Sequence, residues 1–384
     1  MLWQSAIDDA LAKTRANLMR HSGLYPHITS EKRYNWGENG DWIEGFYTGM
    51  VWLCYEYSQD AFFKDAAMEQ VDSFRERLEM KRAIDHHDIG FLYLPSALAA
   101  WIVTGDEEGR RLSLDAADHL MTRWRESGHY LQAWGPAGDE VNGGRIIIDC
   151  MMNIPLLYWA TEQTGDERYK QAALIHADKS RRYLMRGDDS SYHTFYFDQA
   201  SGAPLGGGTH QGYHDGSTWA RGQAWAIYGF ALSHRYTGDE RYLESAQRAA
   251  RYFLDHLPED KVAYWDFDAP IDGDTPRDSS ASAIAACGML EIVSHLKEED
   301  PERQLLMDAV ASSMTSLVEH YATQGEEDAE GLLRHGSYHV RGDLGPDDYM
   351  IWGDYFYLEA LLRLERGITG YWYERGGRMP DSKS

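Results

Sequence analysis

The sequence predicts an all-α protein, an (α/α)6 barrel of six helical hairpins, and three observations carry that prediction. A Thr-Gly-Asp-Glu turn recurs at 104–107, 164–167 and 237–240. Each copy follows an apolar, aromatic-rich run and precedes an amphipathic one, such as ERYKQAALIHADKSRRYL after Asp166 or ERYLESAQRAARYFL after Asp239. Residues of unusual chemistry stand at matching distances in front of the turns. Within each turn, glycine suits the left-handed end of one helix and aspartate suits the cap of the next, so each unit reads as a helical hairpin.

Weaker versions of the turn at YSQD (57–60), KEEDPE (297–302) and RGITG (366–370) raise the number of units to six. Their first helices are, in order, DWIEGFYTGMVWLCYEY, IGFLYLPSALAAWIV, DCMMNIPLLYWATEQ, RGQAWAIYGFALSHRY, SSASAIAACGMLEIVSHL and IWGDYFYLEALLRLE. Small and apolar residues cover nearly every face of these segments, which predicts helices surrounded by protein. The second helices carry charge on one side and face solvent. An open solenoid keeps a stricter period than units spaced roughly 45 to 75 residues apart, so a closed double ring fits better. Residues 1–384 form a single domain on this reading.

Composition narrows the functional classes. With 43% hydrophobic residues, 13 Trp and 25 Tyr, the chain can bury a large core. The opening segment MLWQSAIDDALAKTRANL reads as an amphipathic helix, without the basic and apolar regions of a signal peptide. No run reaches the roughly 18 apolar residues that a membrane span needs. Cys54, Cys150 and Cys287 are odd in number and set among apolar neighbours, which predicts reduced core thiols in a soluble, cytoplasmic protein. A net charge of −25 repels nucleic acid and other polyanions, leaving a small anionic ligand possible where local cations offset the field.

Alignment on the turns places the chemistry. Asp149 lies 16 positions before Gly165, Asp88 17 before Gly105, Arg221 17 before Gly238 and Trp42 17 before Gln59. If the inner helices run the same way, these residues converge at one mouth, lined by helix N-termini that favour anions. The Gly, His, Tyr and Trp residues of the long segment 186–219 suit a wall around a sugar site.

Each candidate has a plainer reading. Asp149, within GGRIIIDCMMN (143–153), is a natural helix cap ahead of Pro155, yet its apolar neighbours would raise its pKa toward that of a general acid. Asp88 follows His86 and His87, and with His193, His210 and His214 these suggest a metal site. No HExxH pair or cysteine cluster accompanies them, so hydrogen bonding to a polar ligand is the preferred reading, with no metal and no cofactor. Arg221, between Trp219 and Trp225, serves either an ion pair with one of many carboxylates or an anionic substrate. Trp42, Trp134, His193, Gln211 and Tyr338 complete the candidates. GGGTHQG (206–212) lacks the ending and strand of a phosphate loop. The acidic run GEEDAEG (325–331) reads as a solvated loop.

The segments DWIEGFYTG, HHDIGFLY, GGRIIIDC, RGDDSSYHTFYFD, GGTHQGYHDGSTWARGQAWAIYGF, RDSSASAIAACG, SYHVRG and PDDYMIWGDYFYLEALLRLERG closely resemble the unsaturated glucuronyl hydrolases, glycoside hydrolase family 88. The resemblance runs from Trp3 to about Arg375 in matching order. It implies an (α/α)6 barrel that removes a nonreducing-end 4,5-unsaturated glucuronic acid from oligosaccharides left by polysaccharide lyases. It carries an acid/base role onto Asp149 and a second essential aspartate onto Asp88. It further implies sugar contacts by Trp42, His87, Trp134, His193, Gln211, Arg221, Trp225 and Tyr338. Arg221, with Gln211 and helix N-termini, is the expected holder of the uronate carboxylate. Pro95, inside the second inner helix, obscures only where that helix starts. The competing readings are an unsaturated rhamnogalacturonyl hydrolase, a sugar epimerase and a noncatalytic sugar-binding barrel. Oligomeric state is not legible.

Overall fold

The computed structural model describes residues 2–30 and 32–375. The chain opens with α1 (Leu2–Arg20), and hairpins follow. They are α2 (Glu44–Ser58) with α3 (Ala61–Glu79), and α4 (Ile89–Tyr93) and α5 (Ala99–Thr104) with α6 (Glu107–Met121). Next come α7 (Pro155–Thr164) with α8 (Glu167–Tyr183), α9 (Ala220–Thr237) with α10 (Glu240–Asp255), and α11 (Ser279–His295) with α12 (Pro301–Ser316). The last helix is α13 (Ile351–Arg366). In each hairpin the first helix faces inward and the second wraps it, giving an (α/α)6 barrel.

The turns work as their residues predict. Gly105, Gly165, Gly238 and Gly367 take φ of +73°, +73°, +67° and +69°, ending their helices in the left-handed region. Asp106, Asp166 and Asp239 accept hydrogen bonds from Gly109, Arg168 and Arg241 N–H groups and cap the following helices. At YSQD, Gln59 takes the glycine's place at φ 58° and Asp60 caps α3. Pro95 cannot donate to the helix ladder, and between α4 and α5 the chain widens into a π-type turn, Leu94–Leu98, without leaving the ring. The helix start that Pro95 obscured is Ile89.

The sixth hairpin departs from the expectation. Among the described residues, RGITG leads to no outer helix, and α1 packs against α13 in that place. From Gly367 to Arg375 the chain instead turns under the barrel. Tyr371 and Trp372 are fully buried there. Trp372 stacks on Phe356 at 5.7 Å and donates from Nε1 to Glu359 at 3.0 Å. The run 325–331 is also only partly solvated. Glu330 is buried, where it accepts from Tyr34 N and Trp36 Nε1 at 2.9 Å and pairs with Arg20 and His21 at 3.1 Å. These partners come from the first 36 residues and have no sequence signature near Glu330.

Glycine sets the spacing of the inner ring. A Cβ on Gly45 would collide with the backbone of Phe91 and Leu92, and one on Gly90 with the backbone of Asn153. The same holds for Gly229 against Met151 and for Gly288 against Tyr228, whose N would lie 2.9 Å away. Gly353 meets Ser280 at 3.0 Å, and Gly49 meets Tyr355 and Pro95 at 2.7 Å. Every seam between neighbouring inner helices therefore has a point where backbone touches backbone or a buried side chain at a spacing that leaves little or no room for a Cβ.

Above the mouth stand short strands. β1 (Tyr25–Ser30) pairs with β2 (Arg33–Gly37), and β3 (Trp124–Arg125) with β4 (Tyr130–Leu131), both antiparallel. β5 (Arg145–Ile147), β6 (Thr194–Phe197) and β7 (Pro204–Gly208) form an antiparallel sheet in that order. Half of GGGTHQG is thus a strand, with Gly207 lying against the Tyr192 ring. Cys54, Cys150 and Cys287 are free and buried. No described helix is long and apolar enough to cross a membrane.

The seams make a stability prediction. Gly229→Ala forces a methyl into the Met151 backbone and should cost about 1–3 kcal/mol, as overpacking does. Gly187→Ala, with nothing within 4 Å of its Cβ, should be nearly neutral. Thermal unfolding of the two variants checks this; equal melting temperatures would refute the role given to the seams.

Candidate active site

Five of the six inner helices carry a carboxylate at or near their mouth end, and the exception, α9, carries Arg221. Three of the five are engaged by the fold. Glu44 pairs with the fully buried Arg77 at 3.1 Å and accepts Asp41 N at 2.7 Å. Asp278 caps α11 and pairs with Arg221 at 2.6 Å. Asp354 accepts from Tyr34 Oη at 2.7 Å and from the Leu332 and Leu333 N–H groups at 2.9 and 3.0 Å. Asp88 and Asp149 remain to face ligand.

Asp149 sits in a 3-10 turn, Ile148–Met152, which continues β5 into α7. The capping reading does not hold: Ile147 and Ile154 occupy the cap positions, and Asp149 Oδ2 is buried without a hydrogen-bond partner. Burial, and then the negative charge of Asp88, push its pKa up to about 7, against the pull of Arg221. Near neutrality the carboxyl keeps its proton in an appreciable fraction of molecules. Burial alone would raise Asp88 too, but His87 and His86 outweigh it and hold the Asp88 carboxyl below its ordinary value, so Asp88 is ionised.

Asn153 ties the two aspartates together. Its Nδ2 donates to the Asp149 carbonyl at 3.1 Å, and its Oδ1 accepts the Phe91 N–H at 2.7 Å, three residues beyond Asp88. His87 and His193 are neutral. His193 Nδ1 accepts the backbone N–H groups of His210 and Gln211 at 3.1 and 3.2 Å, which leaves the proton on Nε2, 3.9 Å from Asp149 Oδ2. Burial pushes the pKa of His193 well below its ordinary value and that of His87 down to about 4. His87 Nε2 lies 3.4 Å from Asp88.

A cleft of about 440 Å³ opens at Asp88, lined by Trp42, His87, Asp88, Trp134, Asn142, Arg145, His210, Gln211 and Tyr338. Trp42 Nε1 donates to Tyr338 Oη at 3.0 Å. Three expected contacts, His193, Arg221 and Trp225, are not among the lining residues, and neither is Asp149. Trp225, one turn deeper on α9 than Arg221, is fully buried and packs against Phe91 at 5.0 Å, beneath the cleft and not on its surface. Arg221 is 1% exposed, and its charge is met by Asp278. Its remaining bonds, to the Ser337 and Tyr338 carbonyls and to Gln211 Oε1 at 3.3 Å, hold the wall together, so it is not free to grip an anion directly. Sequence reasoning missed Asn142 and Arg145, and took His210 only for a possible metal ligand. All three lie in strands or loops, where the helical register that located the other residues gives no signal.

A partly protonated carboxyl beside an ionised one, under an aromatic-rimmed cleft at the mouth of an (α/α)6 barrel, defines a glycoside hydrolase. The chain belongs to Glycosyl Hydrolase Family 88, whose model matches residues 12–363. It is 59% identical to the unsaturated glucuronyl hydrolase of Bacillus sp. strain GL1 over 98% of its own length and 100% of that protein's. The crystal structure of the Bacillus sp. GL1 enzyme superposes with a TM-score of 0.96, covering 98% of this chain and 100% of that one. An unsaturated chondroitin disaccharide hydrolase of Streptococcus agalactiae is 43% identical over 96% of this chain and 93% of its own.

The electrostatics yield two expectations. In an NMR titration of labelled aspartates, Asp149 titrates at about 7, and in Asp88→Asn its pKa falls, because a raising charge has been removed. Since the folded pKa exceeds the ordinary 3.8, the neutral carboxyl's contribution to stability is full below 3.8 and lost as pH rises to about 7. Asp149→Asn should therefore melt higher than the parent at pH 8, with the advantage vanishing near pH 4. An advantage independent of pH would contradict the assignment.

Proposed function

We propose that the enzyme releases the nonreducing-end 4,5-unsaturated glucuronic acid from oligosaccharides that polysaccharide lyases leave, whether glycosaminoglycan or bacterial exopolysaccharide fragments. The observation that carries this reading is Asp149: a carboxyl with an unpartnered oxygen and a pKa of about 7, set against the ionised Asp88. Family membership and the activities of the two relatives support it. On this reading residues 1–384 work as one catalytic domain in the cytoplasm, on small fragments.

A 4,5-unsaturated uronide is a vinyl ether, so a single acid/base suffices. Asp149 gives its proton to C4, and positive charge develops on C5 and the ring oxygen. The Asp149 carboxylate then takes a proton from water as the water oxygen bonds to C5, which restores the acid. The C5 hemiketal opens to a ketone, and the hemiacetal left at C1 expels the remaining oligosaccharide with its own oxygen. No group attacks C1, and no second carboxyl is needed across the ring. Asp88, as an acceptor, positions the ring hydroxyls. The neutral His193 Nε2–H faces Asp149 and steadies its anion between the two proton transfers, while Trp42, Trp134, His87, Gln211 and Tyr338 hold the sugar.

Asp149→Asn should lower kcat by about 10²–10⁴-fold or more while leaving substrate binding measurable. Loss of the conjugated double bond's ultraviolet absorbance follows turnover, and near-normal turnover by the variant would defeat the mechanism. The same assay on unsaturated glucuronyl and galacturonyl substrates separates this activity from rhamnogalacturonyl hydrolysis. An epimerase would yield no new reducing end, and a binding module no change in absorbance.

A further inference from the structure

The proposed substrate is an anion, and the protein carries a net charge of −25 with an ionised Asp88 in the cleft itself. A cation must meet that substrate, and Arg221 is already matched by Asp278. Among the described residues lining the cleft, Arg145 is the one arginine or lysine, and it pairs with no described carboxylate. The lining histidines do not replace it, since burial pushes His87 and His210 down to about 4.

Arg145 is held as a receptor would be. It opens β5 opposite Tyr196, and Nη2 donates to Tyr196 Oη. The guanidinium centre lies 4.9 Å from the Tyr196 ring and 5.1 Å from the Trp134 ring, so two aromatic groups fix its plane. Its Nε is buried and has no hydrogen-bond partner. An unpaired buried guanidinium donor is costly unless a ligand completes it, and a planar fork between rings matches a carboxylate or sulfate.

We infer that Arg145 is the oxyanion receptor of the cleft and sets its specificity for acidic sugars. The inference rests on the proposed hydrolase activity. The oxyanion is either the carboxylate of the unsaturated ring or an acidic substituent on the sugar that follows, and the two sources can be told apart.

The experiment compares the parent with Arg145→Gln and Arg145→Lys on two unsaturated disaccharides. They differ only in whether the second sugar, an N-acetylhexosamine, bears a sulfate. Arg145→Gln should raise KM about tenfold to a hundredfold, the loss of one charge-assisted hydrogen bond, with kcat much less affected. A rise on both substrates assigns the ring carboxylate, and a rise on the sulfated one alone assigns the following sugar. Arg145→Lys, which keeps the charge, should recover part of the loss. An unchanged KM on both substrates overturns the inference, as does equal impairment of the Lys and Gln variants, which would reduce Arg145 to packing between two rings. Turnover by the parent is the internal control: if the parent cleaves neither substrate, the proposed activity fails, not the role of Arg145.

Discussion

The closeness of the inner helices governs everything else in the molecule. Six glycines, one at each seam, let a neighbouring backbone or buried side chain approach to within contact, and at that spacing the ring of six helices closes with its core filled by aromatic side chains. Wider seams would splay the mouth and separate Asp88 on one unit from Asp149 on the next. The Gly90 seam has the most direct consequence. It brings α4 against Asn153, whose amide bonds both to the backbone of Asp149 and to the first turn beyond Asp88. The electrostatic coupling between the two acids is thus a product of helix packing.

The mouth shows how one architecture sorts equivalent positions into different uses. Carboxylates recur at the same end of five helices, and three are matched by an arginine, a tyrosine or backbone N–H groups. The two that lack such partners part ways: burial and the Asp88 charge push Asp149 up to about 7, as burial also does to Asp354, while His87 and His86 hold Asp88 low. Division of labour between an acid and an ionised positioner therefore follows from the neighbours each carboxyl has, His86 and His87 standing beside Asp88. Arg221 illustrates the converse: at the position that aligns with Asp88, its charge is absorbed by Asp278 and it serves as a beam between α9, α11 and the 337–338 segment.

Much of this is legible in the chain before any coordinates. The Gly-Asp turn reports a left-handed end and a cap, and the apolar runs report burial, so the hairpins and the shared register of Trp42, Asp88, Asp149 and Arg221 can be read directly. What escapes is long-range. Nothing in RGITG says that its outer partner is α1, more than three hundred residues away, or that Glu330 will be buried by groups from the first strands. Arg145 is equally silent: it precedes three isoleucines in a strand, and only pairing with β6 brings Tyr196 beside it. Trp225 shows the opposite case: the resemblance implied a sugar contact, yet it lies one turn deeper than Arg221 and is fully buried outside the cleft lining.

Closure of the ring by α1 and α13 bears on how the molecule comes into being. The helix α1 packs on α13, which lies over three hundred residues later, and Trp42 rests 5.2 Å from Trp352 on α13. A nascent chain can form hairpins one at a time, yet it has no finished cleft until α13 emerges. A chain that stops short of α13 therefore lacks one wall of the inner ring and leaves its aromatic interior uncovered.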